Sequence, residues 1–189
     1  MFKRLFSRKA REGHDFIDGL YGQIVAGARQ PHFFSAWSVP DTPLGRFEMI
    51  GLHMFLCLRQ MRGRSDALDQ IAQKVTDVFF TEVDHSLREL GIGDNAVPKR
   101  MKKLAKMYFG RLEAYEKALD AGDRAALSAA LSRNIRPDAD VWPEAQELAD
   151  YMFAADAALG GEPDEAFLEG NVRFPDPAAV AAAPRDGGV

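Results

Sequence analysis

A single cysteine, Cys57, is all the thiol chemistry that the 189 residues contain, so no internal disulfide can form and nothing argues for an oxidising compartment. Long apolar runs are missing as well. The longest apolar-rich stretch, Phe47 to Leu58, is broken by Glu48, Gly51 and His53, whereas a helix that spans a bilayer needs ~20 predominantly apolar residues. Met1 to Arg11 opens with charge as a signal peptide would, yet no apolar segment follows before Glu12, His14, Asp15 and Asp18. These absences predict a cytoplasmic protein. The chain also lacks a glycine-rich phosphate loop, an internal repeat and any run with strand alternation.

What is present is an ordinary globular composition, 47% hydrophobic and 28% charged, in a length that suits one domain with tails. The formal net charge of −4 argues against a general affinity for nucleic acid. That average hides a split. Residues 1–111 carry 18 Lys and Arg against 12 Asp and Glu, a balance of +6, while residues 112–189 carry 6 against 16, a balance of −10. Such asymmetry points to a basic surface made for an acidic partner.

The pattern along the chain predicts an all-α, compact, single-domain bundle of about six helices. A basic segment, 1–11, precedes a helical domain over 12–170. Its first helix, 12–29, is weakened by Gly13, Gly19, Gly22 and Gly27 and needs tertiary support. Pro31, Pro40 and Pro43 make 30–43 a loop, and Phe33, Phe34 and Trp37 require that loop to be packed. The segment 44–62 is apolar nearly all round, as a central buried helix is. A third helix over 66–90 starts after Ser65 and stops at Gly91. The fourth opens near Pro98, the fifth covers 123–134 behind Asp123, and the sixth covers 142–159. Residues 171–189, rich in Pro, Ala and Gly, read as a disordered tail.

Few side chains suggest chemistry. Cys57 sits on the most apolar helix, where a thiol acts as a small hydrophobe. Glu82 and His85 have the Glu-x-x-His spacing of di-iron bundles, but those sites need a second copy and two further Glu; a surface ion-pair group with Asp84, Arg88 and Glu89 is the better reading. His53, among Leu52, Met54, Phe55 and Leu56, reads as a structural histidine, hydrogen-bonded to a backbone carbonyl or to a side chain of the 30–46 loop. The informative feature is basic. Between Pro98 and Leu112 stand Lys99, Arg100, Lys102, Lys103, Lys106 and Arg111 and no acid. Helical spacing puts most of them on one face, at the helix end whose dipole disfavours cations. This is the expected docking face for an anionic surface, whether rRNA, lipid headgroup or acidic protein.

Several segments together resemble the ubiquinol–cytochrome c chaperone family in its bacterial form. They are Asp41-Thr-Pro-Leu-Gly-Arg-Phe-Glu48, Leu52-His53-Met54, Leu87-Arg-Glu-Leu-Gly-Ile-Gly-Asp94, Val97-Pro-Lys-Arg-Met-Lys-Lys103 and Tyr108-Phe-Gly-Arg111. The likeness extends over about 30–135, with Trp37, Asp41, Arg46, His53, Arg88, Gly91, Asp94 and Pro98 as its structural positions. It implies a non-catalytic assembly factor for ubiquinol–cytochrome c reductase, without cofactor or small-molecule substrate. Cytochrome b or another subunit is the implied partner, with the ribosome as a further contact; the basic residues add the periphery of the inner membrane as an expected location. Two other functions compete from the residues alone. One is a haem- or metal-dependent helical enzyme using His53 or the Glu82/His85 pair. The other is a nucleic-acid-binding domain working through residues 99–111.

Overall fold

Every regular element is helical in the computed structural model, which describes residues 16–183. Helix α1 is described over residues 16–28. There follow α2 (Pro31–Ser35), α3 (Pro43–Met61), α4 (Asp66–Glu89), α5 (Val97–Asp120), α6 (Arg124–Ile135), α7 (Ala145–Gly160), α8 (Asp164–Leu168) and α9 (Pro177–Ala182).

The long helices start where side chains satisfy their first amides. Thr42 Oγ1 accepts from Gly45 N–H at 3.1 Å, Ser65 Oγ from Leu68 N–H at 3.3 Å, and Asp123 Oδ1 from Ala126 N–H at 2.8 Å. Helix α4 ends at a left-handed Gly91 with φ +79°. Helix α3 is the axis of the molecule. Phe47, Met49, Leu52, Met54, Phe55, Leu56, Cys57 and Met61 are all buried along it, because it is wrapped by α4, α5 and α7. Helix α6 joins α5 to α7, completing the core with Leu127, Leu131, Leu148, Met152 and Leu159.

The α4–α5 hairpin enters this core only at its base. Val75 and Phe79 of α4 and Tyr108 and Tyr115 of α5 belong to the main core, whereas Leu87 and Val97 are buried apart from it, against the turn. The last turns of α4 and the first turns of α5 therefore form a two-helix arm with most of its surface in solvent.

Three expectations change. The loop after α1 contains a helix, α2, which Pro31 starts rather than prevents, since a first-turn proline has no amide to lose. The last long helix begins at Ala145, three residues late, after a Trp142-Pro143-Glu144 turn. Residues 171–183, expected to be a disordered tail, pack on the body instead. Val172 is buried, Phe174 lies 4.8 Å from the His53 ring, and α9 is capped by Asp176 against α7. A few apolar anchors, Val172, Phe174, Pro177 and Val180, hold a segment whose composition alone reads as loose. The basic segment 1–11 and residues 184–189 lie outside the described residues.

Candidate functional site

Lys99, Arg100, Lys102, Lys103 and Lys106 are all exposed in the first turns of α5. Their i, i+3, i+4 and i+7 spacing lays four of them on one stripe, with Arg100 beside it. None of the five forms a salt bridge among the described residues. The first turn of α5 holds no acid and its N-cap residue, Ala96, makes no side-chain cap. Nothing local compensates the repulsion between these cations and the helix dipole. Phe109 continues the stripe three residues after Lys106. It is 55% exposed, yet its ring is held 6.0 Å from Phe80 and 5.1 Å from Tyr108.

Arg111 does not join them. Its side chain turns inward to pair with Glu48 of α3, and burial pushes its pKa down. The pair borders a pocket of about 10 Å³, the size of one water, lined by Gly51, Leu52, Tyr108, Leu112 and Tyr115 among others. The lone carboxylate in an apolar helix was the available signal for this contact, and its partner lay too far along the chain to name.

The structural positions fall into two separate groups. Near the start of α3, Arg46 Nε donates to Asp41 Oδ1 at 2.6 Å in solvent, and the buried Trp37 offers its carbonyl to Trp142 Nε1–H at 2.9 Å. At the arm's turn, Arg88 donates to Asp84 at 2.6 Å and also pairs with Asp94, bridging α4 to the loop; Gly91 makes the left-handed step and Pro98 opens α5. These residues shape the turn that carries the cations.

His53 is wholly buried, as expected, but neither of its hydrogen-bond partners comes from the 30–46 loop. Nδ1–H donates to the Met49 carbonyl of its own helix at 2.8 Å, and Nε2 accepts from Tyr151 O–H at 2.9 Å. The loop reaches it through Phe33, whose ring stands edge-on at 5.5 Å. Burial pulls the imidazole pKa down to about 4 and pushes that of Tyr151 up, so a neutral ring accepting from a neutral phenol is the stable arrangement. With both nitrogens engaged, the ring has no lone pair free for a metal. Glu82 and His85 lie exposed on α4, His85 3.6 Å from Glu89. No three His, Cys, Asp or Glu side chains gather as a metal site among the described residues. Cys57 is buried, and its pKa is pushed up to about 12.

The sequence profile described as "Ubiquinol-cytochrome C chaperone" matches residues 35–174. The chain belongs to that family. The match covers His53, Tyr151, Phe174 and the whole arm, though not Phe33, and it runs on to residue 174 where the motifs ended near 135. A crystal structure of the Cbp3 homolog from Brucella abortus superimposes with a TM-score of 0.85 at 50% identity, covering 94% of this chain and 98% of that one. The ubiquinol-cytochrome-c reductase complex assembly factor 1 of Xenopus laevis is 25% identical over 116 residues. That match takes in 61% of this chain and 58% of the frog protein, so the chain spans little more than half of that relative's length. The ubiquinol–cytochrome c chaperone family is one of chaperones, not of enzymes. No helix among the described residues is long and apolar enough to cross a membrane.

Proposed function

We propose that this protein is a non-catalytic assembly factor for ubiquinol–cytochrome c reductase. In this reading its basic α5 face brings it to newly made cytochrome b or to the machinery that makes that subunit. Family membership supports the first part. The observation that carries the second is five exposed cations at the start of a helix, none in a salt bridge among the described residues, at the end where the dipole makes them costly to the isolated fold. A partner that supplies negative charge offsets that cost. The face is lysine-rich, which suits electrostatic capture and steering.

Photo-crosslinking in cells from a reactive residue placed at Lys103 tests this. Recovery of cytochrome b, another subunit of the complex or ribosomal proteins is the expected result. A crosslinker at that position that captures none of them, while one on the α6–α7 side does, contradicts it.

A further inference from the structure

We infer that the outer face of α5 seats on the headgroups of an anionic phospholipid bilayer, with Phe109 entering the interface. The inference rests on the reading of that face as a docking surface and names the anionic partner it fits. Four of its five cations are lysines, compact point charges on long flexible stems. Such groups suit a diffuse field of phosphates, whereas pairing with particular carboxylates favours the planar fork of arginine. The pocket at Glu48 and Tyr108 lies on the inward side of α5 and has room for about one water, too little for a peptide side chain. Where the stripe ends it presents an aromatic ring, 55% exposed and held in place by Phe80 and Tyr108. Cations leading to a partly immersed apolar side chain are the pattern of an interfacial helix. The charge split orients the approach. The −10 balance of residues 112–189 is repelled by an anionic membrane, so the molecule presents its basic arm first.

Co-sedimentation of the full chain with phosphatidylcholine vesicles, alone or with added phosphatidylglycerol, tests this at low and high salt. We expect binding to the anionic vesicles only, weakening as salt rises. Replacing Lys102 and Lys103 by Glu should lower it by at least a factor of about 30, at ~1 kcal/mol for each cation lost near the surface, with the two new anions adding repulsion. Phe109→Ser should lower it about fivefold, from the apolar area withdrawn. A control carrying Lys74→Glu and Arg133→Glu makes the same change in net charge away from the face and should bind as the wild type. Equal loss in control and face variants overturns the inference, as does binding to neither vesicle. Binding to RNA or an acidic polypeptide but not to anionic vesicles also overturns it. Crosslinking to cytochrome b in detergent reports separately. Vesicle binding lost with client capture kept, in the Lys102/Lys103 variant, leaves the bilayer inference standing and removes the direct contact. Capture by a wild type that ignores vesicles removes the inference alone.

Discussion

His53 shows how far one residue can be read and where reading stops. A polar ring inside Leu52-His53-Met54-Phe55 had to be satisfied, and it is, by the Met49 carbonyl and the Tyr151 hydroxyl. The first partner is local and follows from helix geometry; the second is 98 residues away and no periodicity could locate it. The arrangement has a pH signature. The folded pKa of about 4 lies below the ordinary 6.5. The unfolded chain therefore takes up a proton first, and stability falls as pH drops from about 6.5 towards 4, by at most about 3 kcal/mol. Urea unfolding at pH 7 and pH 4.5 should show wild type losing more stability than His53→Gln, which starts lower but has no titrating ring. Parallel losses contradict the assignment. Phe55, 1% exposed and 6.1 Å from the Tyr115 ring, should cost ~3–5 kcal/mol when cut to alanine. A loss below ~1 kcal/mol would mean that α3 is not the packed axis described here.

At the scale of elements, the helices with strong punctuation were legible. Ser65, Asp123 and Gly91 mark ends that the structure keeps, because capping is local chemistry. What composition hid were α2 and α9, too short to show a period, and the packed stretch 171–183, whose order comes from Val172 and Phe174 meeting distant partners. Two glycines separate local propensity from packing. Alanine is favoured over glycine by ~1 kcal/mol inside a helix. A Cβ at Gly110 meets nothing within 4 Å, so Gly110→Ala should raise stability. At Gly45 the same Cβ runs into the Pro40 carbonyl oxygen, so Gly45→Ala should lower it despite the propensity. Melting temperatures of the two variants should move in opposite directions; a common direction would show that the α3 entry is not held by this close contact. The start of α5 carries a related expectation. Lys99→Glu replaces a cation by an anion near the positive end of the helix dipole and should stabilise the fold by ~0.3–1 kcal/mol, provided its present charge serves a partner and not the fold. Unchanged or reduced stability would mean that the lysine has a structural role.

For the whole molecule, the charge split along the chain is partly closed in space, because Arg59, Arg62 and Arg64 of the basic half pair with Glu116, Asp120, Asp156 and Asp164 of the acidic half. The basic half supplies the arm, while the acidic half contributes α6 to α9 and the C-terminal part of α5. The family resemblance was legible because its motifs cluster in turns and caps, Asp41 to Glu48 and Leu87 to Lys103, where short sequence dictates local shape. The composition of the basic face was legible only in part. Five of the six cations follow from helical spacing, but Arg111 is drawn inward by Glu48, a contact between helices that a single helical wheel does not contain. Phe109 falls outside the buried stripe of α5, yet its 55% exposure beside Phe80 and Tyr108 depends on how α4 and α5 pack, which the sequence of one helix does not contain.

The central claim, that the cations of α5 bring the protein to its partners, is tested most directly by capture from cells with wild type and with Lys102 and Lys103 both replaced by Glu, at two salt concentrations. The fold of the variant should be intact by circular dichroism. The account predicts that wild type recovers subunits of ubiquinol–cytochrome c reductase or their synthesis machinery at low salt and less at high salt. The variant should recover little at either. Equal recovery of every partner by both proteins would contradict it and leave the basic stripe a solvated helix face.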